Sequence, residues 1–236
     1  MRFRSVLAAL LAAFVLLPHA AKAQIGASLT IESQYRLRSF APSNRKPSAS
    51  LNLSYDHKSG FYAGGSAIVF DASKGRVSQL GFMEYAGFVK PLKHGPALDV
   101  GVFNTDLTRY TDARATPLKY TEVYAGATSR NVSLHAYYSP NYLRGGSHTV
   151  YLDVSGAVRP RDKWRLFARG GALIPVNDQA RAGLLRTRYD VRAGVARELG
   201  PAELNLSWTY SWPPFTRPGQ STPPQGAWVL GATYFF

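Results

Sequence analysis

Cysteine is absent from the 236 residues, so disulfides and thiolate metal sites are both excluded. Long apolar runs are absent as well. Beyond residue 23, no segment approaches the about 18 consecutive apolar residues of a membrane-spanning helix. Stretches rich in Ala, Glu, Lys and Leu, the material of stable helices, are scarce, whereas Gly (21), Pro (15), Tyr (14) and Phe (12) are abundant. No low-complexity tract or linker divides the chain, which implies one domain. Acid is in short supply: 14 Asp and Glu stand against 28 Lys and Arg, a formal charge of +14. A basic excess of that size points first to nucleic acid, and two features of the chain argue against it.

The first is the leader. Arg2 and Arg4 precede the apolar stretch Val6 to Leu17, and Ala21-Lys22-Ala23 forms a small-residue cleavage site. That is the pattern of a secretory signal peptide. The apolar stretch is shorter than the about 20 residues that cross a bilayer as a helix. Residues 1–23 are therefore expected to be cleaved, and residues 24–236 to form the domain of an exported protein.

The second is alternation. From Ile25 to Leu37 the odd positions are mostly apolar, while the even ones carry Gly26, Ser28, Thr30, Glu32, Gln34, Arg36 and Arg38. Period two means a strand with one apolar and one polar face. Similar runs recur near 48–56, 61–70, 80–89, 97–105, 118–128, 131–139, 148–158, 164–174, 187–197, 203–212 and 227–236, making twelve strands. The connections alternate too. Those at 57–60, 91–96, 129–131, 159–163 and 199–201 are short. Those near 39–47, 71–79, 106–117, 140–147, 175–186 and 213–226 are longer and rich in Pro, Gly, Ser and charge. A soluble β-sandwich also alternates, but with shorter strands and no such regularity of connections. The expected fold is all-β: a transmembrane antiparallel up-and-down barrel of the bacterial outer membrane, with short periplasmic turns and long extracellular loops. The chain ends WVLGATYFF, with Trp228, Leu230, Ala232, Tyr234 and Phe236 on the apolar parity. Aromatics there suit the interface between lipid and water. Tyr234 and the terminal Phe236 also resemble the signal read by the outer-membrane assembly machinery.

Several stretches resemble the TorF family of porin-like proteins, small outer-membrane β-barrels of Gram-negative bacteria. They are YRLRSF (35–40), PSASLNLSYDHKSGFYAGGSAIVFD (47–71), YTEVYAGA (120–127), YYSPNYL (137–143) and YLDVSGAV (151–158). The similarity runs to about residue 198, and the KSGFYAG turn with its flanking strands is the most specific part. YRLRSF lacks a glycine after the second Arg, and the strand after FYAGG lacks an Asn-Val-Asp. The resemblance implies a barrel and a pore, and no catalytic residues.

The residues themselves offer no catalytic constellation. Ser147 and His148 are adjacent, so on a strand they point to opposite faces and form no dyad. His135 falls on the polar parity. Carboxylates occur singly, the five histidines have no metal-ligand spacing, and no phosphate-binding Gly-rich loop is present. No cofactor, metal or enzymatic activity is read. Parity instead assigns pore-lining candidates: the bases Arg36, Arg38, Arg169, Arg188 and Arg192, with the acids Glu84, Asp99, Glu122 and Asp153. The lumen bases come from strands 1, 9 and 10, and most of the acids from other strands. The lumen is nearly balanced in charge, while the long loops hold an excess of bases. We therefore expect a monomeric porin-like channel for passive diffusion of small hydrophilic solutes, weakly anion-preferring, among outer-membrane lipids and lipopolysaccharide. The alternative is a closed structural or surface-interaction barrel that binds lipopolysaccharide or a partner, and an outer-membrane enzyme stands third.

Overall fold

The structure, a computed structural model, describes residues 23–236 apart from 39–40, 74–75, 94, 108–117, 144, 183–185 and 214–225. The expected leader, Ala23 excepted, thus lies outside the described residues. Twelve strands follow one another: β1 (Ala23–Glu32), β2 (Ser48–His57), β3 (Phe61–Ser73), β4 (Arg76–Pro91), β5 (Ala97–Leu107), β6 (Leu118–Thr128), β7 (Val132–Ser139), β8 (Thr149–Arg161), β9 (Trp164–Pro175), β10 (Arg188–Leu199), β11 (Ala202–Trp212) and β12 (Gly226–Phe235). One short helix, α1 (Asp178–Ala182), lies between β9 and β10. Each strand pairs antiparallel with its neighbours in sequence, and β1 pairs with β12, so the sheet closes into a barrel without a free edge. Closure leaves no strand edge unpaired, the condition for crossing hydrocarbon as a sheet.

Alternation decides which way each side chain points. Ile25, Ala27, Leu29 and Ile31 of β1 stand opposite Tyr55, Leu53, Leu51 and Ala49 of β2, and these form one outward apolar surface. The same outward set continues through Leu152 and Val154 of β8, Leu204 and Leu206 of β11, and Trp228 and Leu230 of β12, all strongly exposed. A barrel that turns its apolar parity outward over most of its wall is built for lipid, not water. Aromatic side chains gather at the two ends of this surface. Phe61, Phe88, Trp164, Tyr234 and Phe236 ring the short-turn end, and Tyr138, Tyr189, Trp212 and Trp228 the long-loop end.

Two expectations about strand length need correction. The first strand stops at Glu32 instead of running on to Arg38. Ser33 N still donates to Leu230 O (2.8 Å), after which the chain leaves the wall and Arg38 takes a left-handed φ of 50°. The long loop expected at 71–79 is instead the tip of a tall hairpin, because β3 and β4 keep pairing as far as Ser73 and Arg76. A bulge interrupts that hairpin. Ile68 pairs with Gly81 and Val69 with Gln79, leaving Leu80 as the extra residue. Gly81 is required there, since a Cβ would collide with the Asp106 carbonyl oxygen.

The long-loop end of the lumen is filled. Ile68, Phe70, Leu80, Leu107, Leu118, Tyr120, Tyr151 and Leu173 point inward from the strands and pack with Tyr142 of the β7–β8 loop and Ala180 of α1. Asn177 holds two of the covering loops together. Its side-chain oxygen accepts from His148 N (3.1 Å) and Ala180 N (3.0 Å), and its amide donates to Gly146 O (2.8 Å). Burial in this cap pushes the Tyr142 phenol well above its ordinary pKa, so it stays neutral.

Candidate pore constriction and vestibule

After β1, residues 33–38 leave the wall and reach across the barrel. Tyr35 and Leu37 pack on the apolar cluster, and the Tyr35 hydroxyl contacts Met83 Sδ on β4 at 2.8 Å. Arg38 reaches the far wall, where its two terminal nitrogens donate to Glu122 Oε1 (2.8 Å) and Oε2 (2.6 Å) of β6. The side chains of both partners are almost fully buried. The guanidinium also lies 3.9 Å over the Tyr151 ring and 5.3 Å from that of Tyr137. Burying two charges is unfavourable unless they are paired and hydrogen-bonded, and a bidentate fork with aromatic faces around it meets that condition. Alternation beyond Glu32 thus has a different purpose from the one expected. Its apolar residues cover the cluster, and its arginines enter the lumen from a loop.

Below this plug, toward the short turns, the lumen is polar. Asp153 of β8 binds Arg169 of β9. Tyr151 donates to both oxygens of Asp190 on β10 (3.1 and 3.0 Å). Gly171 makes room for that phenol, since a Cβ there would strike its hydroxyl. Arg192 donates to Ser207 (3.0 Å) and to Glu32 of β1 (3.2 Å). Arg165 makes a two-pronged contact with Glu203 (2.6 and 3.2 Å) over the small Ala196. On the other wall Asp99 accepts from Tyr62 (2.5 Å) and faces His135 Nε2 at 3.1 Å, with Tyr124 joined to Tyr62. A cavity of about 460 Å³ opens here, lined among others by Ser133, Ser155, Arg165, Phe167, Arg169 and Arg192.

The structure thus brings Arg38, Glu122, Asp153, Arg169 and Arg192 together inside the barrel. Asp99 lies on the same inner surface, and Arg188 is buried higher up among the cap. Arg36 comes in with the loop and donates to Gln34 Oε1 (3.0 Å). The assignment of Glu84 to the lumen is a correction. Met83 and Tyr85 face inward, and Glu84 shares the outer face with Phe82 (46% exposed). Both parities of this strand are apolar (Phe82, Ala86 and Phe88 against Met83, Tyr85 and Val89), so the sequence contained no signal for its direction. The lumen bases and acids also do not face one another as free walls, because most of them are tied in pairs. Arg165, Glu203, Asp190 and the aromatic partners Tyr62, Tyr124 and Tyr151 complete the polar inner surface. Their inward parity was legible, but their partners lie across strands and could not be read.

The barrel resembles solved outer-membrane porins and channels. It aligns with the NanC porin at a TM-score of 0.60 and 9% identity over 87% of this chain and 98% of that one. A protein from work on the in-meso crystallisation of membrane proteins aligns at a TM-score of 0.54 and 10% identity, over 90% and 83%. The outer-membrane channel DcaP of Acinetobacter baumannii gives 0.44 and 12% identity, over 93% and 99%. At such identities the first two alignments establish the fold alone, a porin-like barrel. No curated protein sequence matches the chain. The TorF resemblance implied this barrel, yet the family that the chain matches has a different name. Residues 18–211 match the family described as "Bacterial protein of unknown function (Gcw_chp)", and with most of its length inside that match, this protein belongs to that family.

Proposed function

We propose that this protein is a channel of the bacterial outer membrane that passes small hydrophilic solutes by passive diffusion, with a weak preference for anions. One observation carries the reading: in each arginine–carboxylate pair of the vestibule, the base is the more exposed partner. Side-chain exposure is 38% for Arg169 against 8% for Asp153, 28% for Arg192 against 14% for Glu32, and 28% for Arg165 against 13% for Glu203. The charges nearly cancel in number, but water and solute meet the guanidinium side. A narrow, low-dielectric passage enlarges that local bias. The preference stays weak because each base is already partly neutralised. The outer membrane, its lipopolysaccharide and its assembly machinery are the surroundings that this reading implies.

A closed structural barrel is the second reading, favoured by the apolar plug at the long-loop end. Conductance in planar bilayers separates the two. The channel reading expects small unitary steps, a reversal potential of anion sign in a salt gradient, and a shift toward cations in the Arg169→Ala, Arg192→Ala double variant. The anion bias should also fade as salt rises and screening shortens. Inserted protein with no conductance, in the wild type and in an Arg38→Ala variant alike, would leave the closed barrel as the correct description.

A further inference from the structure

Glu84 belongs to a polar row on the outside of the barrel. Asn104 Nδ2 of β5 donates to Glu84 Oε2 (3.3 Å), and Thr121 Oγ1 of β6 donates to Asn104 Oδ1 (3.1 Å). Nearer the long loops, Lys119 pairs with Asp106 on the same face at 3.0 Å. On the other strands, the described outward side chains away from strand ends are apolar or small. The row also lies deep. Glu84 is four residues along β4 from Phe88 of the lower aromatic ring. At about 3.3 Å per residue and a tilt of about 40°, that is a climb of roughly 10 Å. The apolar band of such a barrel is about 25 Å tall, so Glu84 stands near its mid-height. A carboxylate at that depth is expected to meet a protein partner and not acyl chains.

We infer that the wall formed by β3 to β6 is where a second copy of this chain docks. Beside Glu84 runs an apolar groove of about 510 Å³. Its floor is made of Gly65 and Ala67, and its rims include Leu53 and Phe82. Small floor residues let a neighbouring backbone approach closely, as packing inside a membrane requires. The row itself is self-complementary. A two-fold axis along the membrane normal through Asn104 reverses the order Glu84, Asn104, Thr121. Glu84 of each copy then faces Thr121 of the other, whose hydroxyl proton turns from Asn104 to that carboxylate on docking, and Asn104 meets Asn104, whose amide both donates and accepts. Lipopolysaccharide phosphate fits less well, because Glu84 and Asp106 would repel it and Lys119 is already engaged. The inference replaces the expectation of a monomer, and it does not depend on whether the lumen conducts.

The chain has no cysteine, which makes single-cysteine cross-linking direct. Asn104→Cys and Val102→Cys, both on the proposed interface, should yield an oxidised product of twice the chain mass in native outer membranes. Leu206→Cys on β11, six strands away and so diametrically opposite, should not. Adding Glu84→Leu to Val102→Cys should lower dimer yield about fivefold, the scale of one polar contact within a membrane. The unmodified protein in lipid nanodiscs should have the mass of more than one chain. Cross-linking equal at Leu206→Cys and Asn104→Cys, a cross-linked product with a different protein, or a wild type that stays a single chain at every concentration would overturn the inference.

Discussion

Arg38 illustrates how much one side chain can hold in this barrel. It leaves the wall after β1, adopts a left-handed backbone conformation and inserts an almost fully buried guanidinium between Glu122 and the ring of Tyr151. A non-glycine residue at positive φ costs about 1 kcal/mol or more, and it persists where surrounding contacts over-determine it. Removing one partner of a buried pair is far worse than removing both, because the remaining charge stays desolvated. Arg38→Ala should therefore destabilise the folded barrel by about 3–5 kcal/mol. The double variant Arg38→Met, Glu122→Leu should lose much less. Urea unfolding in lipid vesicles, followed by tryptophan fluorescence, measures both; equal losses in the two variants would show that the pair is not the source of the effect. The same Arg38→Ala change should enlarge the conductance step, since the crossing segment loses its anchor on the far wall.

At the scale of elements, the strands were largely readable from the sequence, and the exceptions have physical causes. Where one face meets lipid and the other meets water or polar side chains, period two appears cleanly, as in β8, β11 and β12. It misleads in two places where the lumen itself is apolar. Tyr35 and Leu37 look like lipid-facing residues of a longer β1, yet they cover the inner cluster. Met83 and Tyr85 are as apolar as Phe82, so Glu84 was wrongly turned inward. A plugged lumen removes the contrast on which parity depends. The paired partners, Arg38 with Glu122 or Arg192 with Glu32, are separated by 84 and 160 positions, and nothing local in the sequence links them. The closing element makes its own prediction. Tyr234 of β12 and Phe236 just past it pack their rings edge-on at 5.1 Å, and Phe236 N donates to Ala27 O (3.0 Å), sealing the seam with β1. Phe236→Asp places a charge at the lipid boundary, on the residue proposed to be read for assembly. It should sharply lower the amount of heat-modifiable barrel in outer membranes while precursor accumulates. Normal levels of the mutant barrel would remove Phe236 from that role.

For the whole molecule, the two ends are built differently, and orientation follows from that difference. The short-turn end has the connections 58–60, 129–131, 162–163 and 200–201, with the polar vestibule above them. At the other end Tyr35 and Leu37 after β1, Tyr142 and Leu143 after β7, and Ala180 of α1 pack on the inner apolar cluster and complete the plug. The stretches 108–117 and 214–225, where further loop charge lies, are outside the described residues. A barrel inserted from the periplasm must draw its translocated connections across the bilayer only once, and long loops are the ones that end up outside. With an even number of strands both termini share the short-turn side, which places Phe236 and the vestibule toward the periplasm and the plug toward the exterior. In that orientation the exposed guanidiniums of Arg165, Arg169 and Arg192 lie on the periplasmic side of the plug, and in the proposed channel Arg38 with residues 33–37 would be the barrier that a solute meets next. A protease site inserted within 213–226 should therefore be cut in intact cells, and one inserted at 159–163 only after the outer membrane is opened. Cleavage at 159–163 in intact cells, with 213–226 protected, would invert the barrel and place the arginine vestibule at the outer surface.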